Sequence, residues 1–83
     1  MTDSELIWKF LVRQYPNDHP IVFLYVSNHP RSAKDAFDKV VNFTKEIFID
    51  VYPETLIKPV VKRYLDYKKE QYVRGEINVK PIY

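Results

Sequence analysis

PNDHPIVFLYVSNHPR, residues 16 to 31, admits two folds. An apolar run, Ile21, Val22, Phe23, Leu24, Tyr25 and Val26, is closed by two similar polar brackets, Asp18-His19-Pro20 and Asn28-His29-Pro30. The run is rich in β-branched and aromatic types and short for a helix, so the pattern predicts a buried strand. The rival is a short helix with Asp18 as its cap and Pro20 in its first turn. A strand needs partners for its N–H and C=O groups. The only other plausible strand is the tail, Glu76 to Tyr83, where Ile77 and Val79 alternate with Asn78 and Lys80 before Pro81. That pairing would lie within one chain or with the same segment of a second chain. The strand reading gives an α+β domain, predominantly α, in the order helix, short strand, helical hairpin, short C-terminal strand. The rival gives an all-α bundle. The first is the expectation.

The segments on either side read as helices. From Ser32 to Tyr52, Ala33, Ala36, Phe37, Val40, Val41, Thr44, Ile47, Phe48 and Val51 recur at steps of three and four, opposite Asp35, Asp38, Lys39, Asn42, Lys45 and Glu46. Ser32 suits an N-cap with Asp35 three residues on, and Pro53 forbids continuation. This central helix carries the main apolar stripe, with Ile49 alone on its polar face. Before the apolar run, Thr2 to Tyr15 reads as a first helix, with Thr2 and Glu5 spaced as a capping box and Pro16 as the stop. After Pro53 a third helix is predicted from near Thr55 to about Arg74. Gly75, the only glycine, stands where a left-handed residue is wanted. Pro59 falls in or just beyond its first turn. The predicted core is Phe10, Leu11, Phe23, Tyr25, Phe37, Val40, Val41, Ile47, Phe48, Val61, Tyr64 and Leu65.

With 83 residues, the chain is one domain, residues 1–83. A domain of that size buries only roughly 60 to 65% of the surface its unfolded chain exposes. No Cys supplies a disulfide, and two His residues without Cys make no common structural zinc site, so self-association is the remaining route to a larger core. The first helix points the same way. Only Glu5, Lys9 and Arg13 share its polar face, and the apolar arc spans roughly twice the ~100° that one contact covers. A two-fold homo-oligomer is therefore expected, with Leu6, Ile7, Trp8, Leu11 and Tyr15 in the interface. A monomer that buries Trp8 and Leu11 within itself would remove the reason for it.

The net charge of +2 is small, but its distribution is uneven: residues 58–80 hold seven basic and three acidic side chains. On the third helix, Lys58, Lys62, Arg63, Lys69 and Arg74 interleave with Tyr64, Tyr67 and Tyr72. That pattern suits phosphate neutralisation and base stacking, so DNA is a candidate partner. The same residues also read as a solvated face, since Asp66 lies one turn after Lys62. A protein-interaction adaptor with no nucleic-acid role, bound for example to a host protein, is the alternative. Chemistry finds little footing: one glycine forbids a Gly-rich phosphate loop, a Cys nucleophile is absent, and no serine sits in a catalytic pattern. His19 and His29 would lie at opposite ends of a strand, so neither metal nor cofactor is expected within one chain. A non-enzymatic binding protein is the reading. Acidic Asp3 and Glu5 precede the N-terminal apolar residues, and the longest apolar run is far too short to cross a bilayer. These features suggest a cytoplasmic protein with no membrane partner.

Abundant Ile, Val, Tyr and Lys, one Gly, no Cys and loops punctuated by Pro16, Pro20, Pro30, Pro53, Pro59 and Pro81 give the chain a style. In that style and in size it resembles the small early proteins of rod-shaped viruses of hyperthermophilic archaea. The likeness is one of composition without a shared motif, and it implies a setting rather than a site: a host cytoplasm in which small oligomers bind viral DNA or host proteins.

Overall fold

The computed structural model describes residues 1–27 and 30–79. Among these residues there are four helices and no strand: α1 Asp3–Gln14, α2 Pro20–Val26, α3 Pro30–Ile47 and α4 Glu54–Val73. The α+β expectation is thereby corrected to an all-α bundle. The described part of the tail, residues 76–79, is not a strand either, and residues 80–83 of that expectation lie outside the described ones.

The reason α2 forms is visible in its own side chains. Val22, Tyr25 and Val26 are buried, at the i, i+3, i+4 spacing of one helical face. Pro20 opens the helix, where its missing N–H is one of the orphan donors in any case. His19, not Asp18, is the cap: its Nδ1 accepts from the Ile21 N–H at 3.1 Å. At the other end Ser27 donates its N–H to the Phe23 carbonyl and its hydroxyl to the Leu24 carbonyl, each at 3.1 Å. A helix satisfies its backbone internally, whereas a strand here would have had no neighbouring strand among the described residues. Strand propensity, which measures fit to a pleated sheet, had nothing to act on.

Thr2 caps α1 as its spacing predicts, accepting from the Glu5 N–H at 3.2 Å. The start of α3 differs from expectation. It opens at Pro30, two residues before Ser32, which is therefore inside the helix and not its cap. The helix ends at Ile47, and the chain turns through Asp50, whose φ of 62° is left-handed. α4 stops as predicted. Gly75 has φ 75°, its N–H donates to the Tyr72 carbonyl at 3.1 Å, and the Glu76 N–H reaches back to the Gln71 carbonyl at 2.8 Å. These are the paired bonds of a Schellman motif. The reversed chain then lays Val79 against the core.

α4 packs against all three other helices, so it, and not α3, is the element around which the rest assembles. Ile57, Val60, Val61, Tyr64 and Leu65 are its buried residues. Of the predicted core, Leu11, Tyr25, Val40, Val41, Val61, Tyr64 and Leu65 are buried, while Phe10, Phe23, Phe37 and Phe48 are half-buried and Ile47 is exposed. The buried set also holds Ile7, Tyr15, Val22, Val26, Ala36, Ile57, Val60 and Thr44. The Thr44 hydroxyl is satisfied by the Val40 carbonyl at 2.7 Å. Tyr64 ties two helices: its hydroxyl donates to the Tyr15 carbonyl at the end of α1, and the edge of Trp8 meets its ring at 5.2 Å between centroids.

Candidate functional site

Of the five basic residues expected to contact nucleic acid, Lys58, Lys62, Arg63 and Lys69 lie on α4 and Arg74 caps its end. Lys58 pairs with Glu54 at 3.4 Å, and the same carboxylate takes Lys45 at 3.1 Å. That double pairing holds the Glu54 carboxyl below the usual range, with Lys45 the larger cause. Lys62 pairs with Asp66 at 3.3 Å and donates to the Tyr25 hydroxyl at 3.2 Å. Lys69 and Arg74 share a surface depression, but with Asp66 and Glu70 as its other charged walls. Arg63, one residue on from Lys62, is turned about 100° around the helix. It lies beside Glu5 and Trp8 at the start of α1. A carboxylate thus lies near each of these five basic residues.

Tyr25, Lys62 and Asp66 form a cluster where α2 meets α4, next to a shallow depression of about 320 Å³ lined also by Ala33, Lys34 and Phe37. The Tyr25 hydroxyl donates to Asp66 and accepts from Lys62. Burial first, and the Asp66 carboxylate second, push its pKa up, while the bond to the phenol pushes that of Lys62 up. Phenol and ammonium therefore both keep their protons at neutral pH, which gives neither a base nor a nucleophile. The donors that a ligand would need are used inside the chain. The cluster is a polar tie between two helices.

The first helix presents a different picture from the one its sequence suggests. Ile7, Leu11 and Tyr15 are core residues, Trp8 is half-buried against Tyr64 and Tyr67, and of the five residues expected at an interface Leu6 alone is open, at 42% exposure. The wide apolar arc is covered on two sides within one chain, by α4 and, through Phe10, by α3. Four of the five residues expected at a subunit interface are thus wholly or partly used up inside the chain.

Exposed apolar side chains remain in several places, Val12, Ile49, Val51 and Val73 among them, and one such place is the outer seam between α1 and α3. Here α1 reaches α3 through aromatic rings and not through close backbone approach. Phe10 stacks on Phe43 at 6.2 Å and meets Phe48 edge-on at 5.2 Å, and Phe48 lies 5.2 Å from Tyr52. The Asp3 carboxylate faces the Tyr52 hydroxyl, whose pKa is raised by burial first and by Asp3 second. The contacts Phe10 to Phe43 and Asp3 to Tyr52 fix α1 antiparallel to α3. Leu6 and Ile47 are 42% and 50% exposed over the half-buried phenylalanines. Sequence reasoning missed this seam because it assigned Phe10, Ile47 and Phe48 to the core.

His19 is a helix cap and packs edge-on against Tyr15 at 4.9 Å, while His29 lies outside the described residues. Among the described residues no group of three His, Cys, Asp or Glu is placed to hold a metal ion, and no helix is long and apolar enough to cross a membrane. Against known proteins, the chain matches no family model, no curated protein and no solved structure.

Proposed function

We propose that the protein is a small interaction module, an adaptor or scaffold that works in the cytoplasm by binding protein through the α1/α3 seam, with no nucleic-acid role. The observation that carries this reading is that Leu6 and Ile47 are both exposed on two helices whose Phe10, Phe43 and Phe48 rings meet. Single exposed aliphatics are ordinary on any surface, whereas a contiguous apolar strip floored by aromatic rings is a contact site. The basic residues of α4 weigh on the same side, because Lys58 and Lys62 already have carboxylate partners.

A photo-crosslinking phenylalanine derivative placed at Ile47, and separately at Lys69, tests the module in the cell. The expected result is a protein adduct from position 47 and none from position 69. Duplex and single-stranded DNA are expected to migrate unretarded at low salt. Retardation whose log K falls by roughly 5 per log unit of salt, the response of six neutralised phosphates at about 0.9 each, would instead return the function to nucleic acid.

A further inference from the structure

We propose that the groove between the start of α1 and the middle of α4 binds a small zwitterion in which a quaternary ammonium is joined to a carboxylate or phosphate. The ammonium lies against Trp8 beside Glu5, and the anionic group on Arg63. This site is separate from the α1/α3 seam and does not depend on the reading of that seam.

The groove is a depression of about 260 Å³ lined by Thr2, Ser4, Glu5, Trp8, Val60 and Arg63. Pockets for drug-sized ligands run from about 300 to 1,000 Å³, so its ligand is smaller than those. Val60 is buried and gives the groove an apolar floor. Glu5 and Trp8 are three residues apart on α1 and are therefore neighbours on its surface. The Thr2 hydroxyl donates to Oε1 of Glu5 at 3.2 Å, which holds the carboxylate in place. Arg63 faces the same depression from α4.

Two opposite charges thus share one small groove without pairing. The four ion pairs among the described residues use Lys34, Lys45, Lys58 and Lys62, so Glu5 and Arg63 have no ion-pair partner there. The indole is unclaimed as well. Cation–π contacts among the described residues are those of Lys62 on Tyr25 and Lys68 on Tyr64, and no cation sits on Trp8. Trp8 meets Tyr64 edge-on, and Tyr67, 46% exposed, extends the aromatic wall at 5.8 Å between centroids.

A simple anion in this groove would meet the Glu5 carboxylate, and a simple cation the Arg63 guanidinium, whereas a ligand with both charges satisfies both. The kind of cation follows from the wall. A primary ammonium carries three N–H donors that need acceptors, and Glu5 is the only carboxylate lining the groove. A quaternary ammonium donates nothing and is held by the negative face of an aromatic ring, so the indole with one carboxylate beside it is enough.

Trp8 is the only tryptophan, so its fluorescence and its single indole N–H resonance report on the groove directly. The full chain is titrated with glycine betaine and with phosphocholine to about 10 mM, which saturates a dissociation constant of ~1 mM. Saturable shifts in both signals are expected with at least one of the two. Choline and acetate each carry one of the charges, and neohexyl phosphate has carbon in place of the quaternary nitrogen. All three should bind at least about threefold more weakly, the loss of one exposed ionic or cation–π contact. Glu5→Gln keeps the capping box and removes the charge, so it should bind phosphocholine and neohexyl phosphate alike. Arg63→Gln should lose instead the preference for the zwitterion over choline, and both variants should keep the helical circular dichroism spectrum. Vesicles of phosphatidylcholine separate two sources of this chemistry: cosedimentation places a lipid headgroup in the groove, and free ligand bound without cosedimentation places a soluble one.

No saturable shift with either zwitterion overturns the site. So does a wild type that binds choline or neohexyl phosphate as well as phosphocholine, because the groove is then not reading both charges. Discrimination that survives unchanged in folded Glu5→Gln and Arg63→Gln overturns the assignment of the two poles.

Discussion

Tyr64 joins a hydrogen bond, an aromatic edge contact and a cation–π contact in one buried side chain. It is fully buried, its hydroxyl supplies the partner that the Tyr15 carbonyl lacks at the end of α1, and the Lys68 ammonium stands 5.5 Å from its ring centre. Tyr64→Phe keeps the ring and leaves a buried carbonyl unpaired, so it should cost about 1 to 2 kcal/mol in urea denaturation without changing helix content. Burial also pushes the Tyr64 pKa up to about 12. A folded-state pKa above the unfolded value of about 10 means that the folded chain holds this proton more tightly. The associated stability is complete below pH ~10 and is lost as pH rises toward ~12. Tyr15 and Tyr25 are raised in the same direction, so the loss in that window should be steeper than one phenol gives. Denaturation midpoints flat from neutral to pH ~9 and falling above pH ~10, less steeply in Tyr64→Phe, are the expected result. Asp50 is a second residue with a defined cost. It holds a left-handed φ of 62° that glycine adopts freely, so Asp50→Gly should raise stability by several tenths to about 1 kcal/mol.

At the scale of elements, the ends of helices were legible where a side chain or a glycine does a local job. The Thr2 and Glu5 box and the Gly75 stop both stand as the sequence predicts, because capping depends on atoms only a few residues apart. Since a Cβ at Gly75 would meet nothing within 4 Å, Gly75→Ala should cost only the left-handed backbone strain, about 1 kcal/mol in thermal melts. α2 was not legible for the opposite reason. Six apolar residues in a row carry no period, so only their neighbours decide which faces are buried, and those neighbours are α3 and α4. The local sign that could have settled it was His19-Pro20, a cap followed by a first-turn proline. His19→Ala removes that cap and should destabilise by ~1 kcal/mol, read as a lower urea midpoint with an unchanged slope. The seam was hidden at the same scale. A helical wheel shows that α1 is apolar over a wide arc but not which part of the arc α4 takes, and that assignment leaves Leu6 outside.

For the whole molecule, 12.4 Å is the radius of gyration, close to the ~12 Å expected of a compact chain of this length. A single layer of helices around α4 gives a small core, so the loss of one fully buried α4 side chain should be felt by the whole fold. Leu65 is such a side chain, and Leu65→Ala should cost about 2 to 5 kcal/mol. At roughly 4 to 8 °C per kcal/mol for a domain of this size, its melting temperature should fall by at least about 8 °C, in one cooperative transition because no helix has a core of its own.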